Sequence, residues 1–235
     1  MMSKNKNVEI ILSKKSYNFD DLCLIMEILR GENGCPWDTE QTHQSIRKNF
    51  IEETYEVIEA IDTQNSKLLR EELGDVMLQV VFHAQMEKEL GTFDINDVAN
   101  DVCTKLVHRH PHIFGDIKAD TADEVLKNWE EIKNVEKSRE TLYDKLNSIP
   151  AMTPALMRAQ KVAKKSGEFK KIQSEDIISD IEDILSTLRQ ESTNTDEKTF
   201  GELLFLVCAL ASKTEIDSEE ALFKKVNTFV EKFRG

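Results

Sequence analysis

Residues 76–83 read VMLQVVFH, the most apolar stretch of a helical pattern that covers roughly Leu68 to Leu90. A segment this apolar nearly all round has to be buried. Yet at helical pitch Glu72, Asp75, Gln79 and His83 share a sector of about 80°. A polar stripe on a buried helix must find partners, because an unpaired buried charge costs several kcal/mol. The helix before it repeats the problem. Ile46, Phe50, Val57 and Ile61 form its apolar stripe. Glu53 falls inside that stripe, Glu56 on its flank and Glu52 further round, whereas Glu59 points away and is solvated. Glu53, Glu56, Glu72 and Asp75 thus converge on one place, and a shared divalent cation is the simplest partner for them. Oxygen donors without a thiolate indicate a hard ion, Mg²⁺ or Mn²⁺.

The rest of the chain supports an all-α fold. Only 8 glycines and 4 prolines occur in 235 residues, and alternating β-branched runs are lacking. With 40% hydrophobic and 32% charged residues, the chain reads as a soluble globular protein that can bury a core. A net charge of −13 excludes a nucleic-acid backbone as the main partner, since no basic face offsets the repulsion. Cys23, Cys35, Cys103 and Cys208 form no CxxC pair, which suits a reducing compartment. No window approaches a membrane span, and the N-terminus is no signal peptide. A cytoplasmic protein is expected.

Residues 1–17 are polar and are read as a flexible segment. A helix over Phe19–Arg30 precedes the loop GENGCPWD, residues 31–38. Asp38 or Thr39 is expected to cap the helix that ends near Asp62, and Gly91 to close the next one. Asp94 can cap a helix over Ile95–Arg109, stopped by Pro111. A further helix covers Asp123 to about Lys137. Residues 138–153 then read as a linker between a first domain, 18–137, and a second, 154–235. Four helices are expected in the second, near 154–166, 175–190, 199–213 and 218–234.

The second domain is a weakened copy of the first. Phe200-Gly201-Glu202 answers Leu73-Gly74-Asp75, and Ile181-Glu182-Asp183 answers Ile51-Glu52-Glu53. Glu56, however, corresponds to Ser186 and Glu72 to Thr199, so two candidate ligands have no counterpart.

Other clusters say less. His108, His110 and His112 lack zinc spacing and read as a helix terminus. A di-iron site would need two Glu-x-x-His pairs, and Glu40 to His43 is the one such spacing. Lys105 and Arg109 lie one turn apart, and either phosphate contacts or surface charge would account for them. Trp37 and Trp129 are either core residues or stacking platforms. A P-loop and a nucleophile elbow are both absent.

Taken together and in order, GCPWDTEQTHQSI, IEETYEVIEAID, EELGDVMLQVVFHAQ and KLVHRHPHIFGD resemble the MazG family of nucleoside triphosphate pyrophosphohydrolases. The resemblance covers about residues 19–137, and PALMRAQKVAKKSG extends it into the second half. It implies a four-helix-bundle core completed by dimerisation, as a homodimer, and hydrolysis of a nucleoside triphosphate to monophosphate and pyrophosphate. It also implies that Glu53, Glu56, Glu72 and Asp75 hold Mg²⁺, with Mn²⁺ a possible substitute. Glu52 would serve a second ion or orient the attacking water. Lys105 and Arg109 would contact phosphates, and Trp37 would lie near the nucleoside. The alternative reading is a non-catalytic helical scaffold that binds a nucleotide or a protein partner.

Overall fold

The computed structural model describes residues 6–136, 141–190 and 196–234. All regular structure among them is helical. Of the expected elements, residues 1–5 of the N-terminal segment, Lys137, residues 138–140 of the linker and 191–195 of the loop before 199 lie outside the described residues. The chain divides into two compact units, Met1–Lys118 and Ala119–Gly235.

In the first unit α1 spans Lys6–Ser13, within the segment read from sequence as flexible, and packs on α2, Phe19–Arg30. Asn18 and Asp21 close α2 with a reciprocal capping box. Helix α3, Pro36–Glu40, is a separate short element, and α4 begins only at Arg47 and runs to Asp62. A continuous helix from Asp38 was expected, and local side-chain chemistry interrupts it. The Thr42 amide donates to Ser45 Oγ at 2.9 Å, and the Ser45 amide donates to Thr42 Oγ1 at 3.2 Å. Such hydroxyl turns compete with helical hydrogen bonding.

Asn65 caps α5, Ser66–Leu90, which ends in left-handed Gly91. An Asp94/Asp97 capping box starts α6, Ile95–Arg109, followed by the short α7, Pro111–Phe114. The core joins Met26 of α2, Ile46, and Val81, Phe82 and Met86 of α5. Each such side chain contributes about 1.5–3 kcal/mol by leaving water. Buried Arg30 lies 5.3 Å from the Phe82 ring, binds Glu89 and donates to the carbonyls of Asp38 and Gln41. It ties the α3 loop to α5.

Helices α4 and α5 form the most extensive helix pair of this unit. Burial of α5 is one-sided, against the sequence expectation. Gln79, Val81 and Phe82 are buried, while Leu73 and Met77 stay half exposed. Ile51, Tyr55, Ile58 and Ile61 of α4 are likewise exposed. Among the described residues, the other helices of this unit leave these sides of the pair uncovered.

The second unit contains α8, Ala122–Glu136; α9, Leu142–Asn147; α10, Ala155–Ser166; α11, Glu168–Lys171; α12, Ser174–Gln190; α13, Glu197–Lys213; and α14, Ser218–Glu231. Helix α9 falls within the expected linker, started by a Thr141/Asp144 capping box. Helix α13 packs most extensively on α10, less so on α12. No described helix is long and apolar enough to cross a membrane.

Candidate active site

The tight turn at Thr63–Asn65 makes α4 and α5 antiparallel neighbours, so residues at matching heights face each other. Near the turn, carboxylate oxygens of Glu53, Glu56 and Glu72 all lie within 4.8 Å of one another. Glu72 is only 8% exposed, Glu53 is half-buried and Glu56 is open to solvent. Among the described residues none of the three has a basic partner. Burial pushes the Glu53 carboxyl above the usual carboxylate range, and the charges of Asp75, Glu56 and Glu72 push the same way. Glu72 is raised too, by burial first and then by Glu56, Asp75 and Glu71. Like charges held together without a counter-charge make a cation-shaped electrostatic hole. The donor set, all carboxylate oxygen, fits a hard divalent ion.

Asp75 stands one turn further along α5, half-buried. It is close enough to act on both Glu53 and Glu72 but lies outside the tight group of three. Glu52 is exposed on α4 and does not join the group. Trp37 sits on α3 with 57% of its surface open. Lys105 is exposed on α6, whereas Arg109, at the end of the same helix, is 7% exposed. None of the three histidines at 108–112 belongs to a metal-type cluster among the described residues, and His110 Nδ1 lies 2.6 Å from the Leu106 carbonyl oxygen.

Further from the turn, two polar features emerge that sequence reasoning did not assign to the site. Gln79 is 7% exposed, and its Oε1 is buried with no hydrogen-bond partner. One turn on, His83 stacks on His43 with ring planes 3° apart, their Nδ1 atoms 2.6 Å apart. His43 Nε2 contacts Glu87 Oε1 at 2.7 Å, and Glu87 in turn accepts from the Thr92 hydroxyl. One proton fits between the two Nδ1 atoms, and a second does not. Burial, and then the charge of His43, lowers the His83 pKa below the ordinary histidine value. The polar stripe on α5 was the sequence signal for both features. The pairing of His83 with His43, 40 residues earlier, had no local signature.

Beside His83, α4, α5 and α6 border an open cleft of about 330 Å³, lined by Arg47, Phe50, Val80, His83, Phe93 and Val98. The cleft shares His83 with the polar stripe of α5, and none of the grouped carboxylates lines it.

Residues 41–114, which span α4, α5, α6 and α7, match the MazG nucleotide pyrophosphohydrolase domain. Over 219 residues the chain is 41% identical to the nucleoside triphosphate pyrophosphohydrolase/pyrophosphatase MazG of Thermotoga maritima, covering 92% of this chain and 84% of that one. Over 224 residues it is 40% identical to the nucleoside triphosphate pyrophosphohydrolase of Escherichia coli, covering 92% and 85%. A third relative, from Mycolicibacterium smegmatis and of the same name, is 41% identical over 60% of this chain and 44% of its own. With the sequence identity running through both units and the helices packed as described, the chain belongs to the MazG family of nucleotide pyrophosphohydrolases.

Proposed function

We propose that this chain is a Mg²⁺-dependent nucleoside triphosphate pyrophosphohydrolase that releases a monophosphate and pyrophosphate, and that it clears surplus or non-standard nucleotides. The observation that carries the reading is the group Glu53, Glu56 and Glu72, within 4.8 Å of one another and, among the described residues, without a basic partner. A triphosphate is an anion, and a chain of net charge −13 needs a cation to receive it there. Mg²⁺ bound there, or Mn²⁺ in its place, would supply Lewis acidity at phosphorus and a water of lowered pKa.

In this reading Glu53, Glu56 and Glu72 hold the ion, and Asp75 adds a fourth carboxylate one turn away. Exposed Glu52 orients the attacking water or holds a second ion. Lys105 and Arg109 offset charge on the phosphates, a role that Arg109 plays best as a fixed planar donor. Trp37, held near α5 through Arg30, covers the nucleoside end. The half-exposed apolar residues Ile51, Tyr55 and Ile58 of α4 and Leu73 and Met77 of α5 fit a second copy of the chain, giving a homodimer whose four central helices form one bundle. The four unpaired cysteines suit the cytoplasm.

The test is pyrophosphate release from a panel of standard and modified triphosphates, with Mg²⁺ and after chelation. The expected result is release that chelation abolishes and Mg²⁺ restores. Saturable nucleotide binding without product at any Mg²⁺ concentration would replace this reading with that of a binding scaffold.

A further inference from the structure

We infer that Gln79 is a substrate-contacting residue whose side-chain oxygen accepts a hydrogen bond from a sugar hydroxyl of the nucleotide. This rests on the hydrolase reading above and extends it from the phosphates to the nucleoside.

A buried acceptor without a donor costs stability, so its retention inside a helix pair calls for a ligand. Gln79 is such a group, 7% exposed and with Oε1 unpartnered. Its direction follows from helical phase. On α5 it lies about 20° from Glu72 and about 40° from His83 around the axis. It therefore points along the same face as the carboxylate group at one end and His83, one wall of the cleft, at the other. Asp75 lies four residues back, about 6 Å along the axis. Across the pair, Phe50 lies at the same height: Glu56 meets Glu72 nearer the turn, and His43 meets Glu87 further out.

The chemistry then fixes which part of a nucleotide arrives there. Phosphates sit at the carboxylate end through the cation. A phosphate oxygen is itself an acceptor and cannot pair with Oε1. The next group along a nucleotide is the sugar, whose hydroxyls are donors. Beyond it the base reaches the cleft walled by Phe50, His83 and Phe93, where a flat ring can stack. Gln79 is the one polar group known to need a donor between those two ends, among the described residues.

The experiment compares kcat/KM for the ribo-, 2′-deoxy- and 2′,3′-dideoxynucleoside triphosphates of the base turned over fastest. Wild type and Gln79→Met, which keeps the side chain's length and loses its acceptor, are measured together, with melting temperatures. Wild type is expected to favour the hydroxyl-bearing substrate over the dideoxy one by about five- to tenfold. Gln79→Met is expected to reduce that preference to within about twofold, through KM, leaving dideoxy turnover unchanged and the melting temperature no lower. Gln79→Asn, which withdraws the oxygen by one methylene, serves if the methionine variant does not fold, and it too should lower the ratio. An equal loss on all three substrates, or a wild type indifferent to the hydroxyls, overturns the inference. Absence of pyrophosphate release from every triphosphate by wild type overturns the hydrolase reading instead.

Discussion

The helix pair α4–α5 and the pair α12–α13, which the sequence pattern reads as its weakened copy, differ in geometry as much as in carboxylates. In the first pair the helices are joined by a tight turn and pack more extensively than any others in their unit. Glu72 lies in the second turn of α5, deep enough for its side chain to meet Glu56. In the second pair α13 begins at Glu197, so Thr199 lies in the first helical turn, and there its amide and hydroxyl donate to Asp196. Ser186, at the position of Glu56, donates its hydroxyl back to the Glu182 carbonyl. Asp183 and Glu202 remain as exposed carboxylates. Thr199 and Ser186 thus serve as local capping and helix-surface groups, and α13 packs more extensively on α10 than on α12. Bringing carboxylates together across a helix pair needs a register as well as residues, and α12–α13 matches α4–α5 in neither.

The largest effect should separate the two pairs outright. Glu53→Gln or Glu72→Gln is expected to lower kcat/KM for pyrophosphate release by about 10³-fold or more, the loss that follows when several kcal/mol of metal-derived stabilisation go. Asp183→Asn and Glu202→Gln should stay within about twofold. Comparable losses in both pairs would erase the distinction.

A second test restores the missing residue types. The double variant Ser186→Glu, Thr199→Glu should bind no more Mn²⁺ per chain than wild type in an equilibrium titration, because Glu at 199 would sit a turn too near the helix start. Extra bound ion would mean that residue type alone decides, and that register is secondary.

The scaffold, unlike the site, should be matched in the two units. Gly91 and Gly167 both end helices at φ 73°. Replacing either with Ala should cost about 1 kcal/mol, or about 2–4 °C in melting temperature, since the strain is that of a left-handed side chain in otherwise open space. A loss at Gly91 alone would show that the second unit's fold has drifted as far as its chemistry.

The smallest effect concerns charge. Glu53 and Glu72 have folded pKa values raised above the unfolded ones. Protonation therefore favours the folded state, and this contribution is lost as pH rises through and above the ordinary carboxylate range, about 4.3. At pH 7 without metal, Glu72→Gln should raise the melting temperature by roughly a degree or two. With saturating Mg²⁺ the order should reverse, since wild type alone gains the ion. A variant less stable than wild type without metal would mean that Glu72 is a structural partner rather than a ligand held against repulsion.

The amino-acid sequence determined the helices, through caps, glycines and periodicity. Asn18 and Asp94 start α2 and α6, and Gly91 stops α5, where pattern alone would place those ends, while Asn65 starts α5 at Ser66, two residues ahead of the expected Leu68. It also determined that the polar stripe of α5 had to meet something, because phase along a helix is a local property. Tertiary structure decided what met what. The Thr42–Ser45 turn, which splits the expected helix, depends on two hydroxyls and two amides closing on each other. The His83–His43–Glu87 chain joins His43 to residues 40 and 44 positions later, and no local period encodes such a distance. Most of all, packing set Glu53, Glu56 and Glu72 within 4.8 Å and left Asp75 beside them, because the height of one antiparallel helix against another is fixed by the side chains between them.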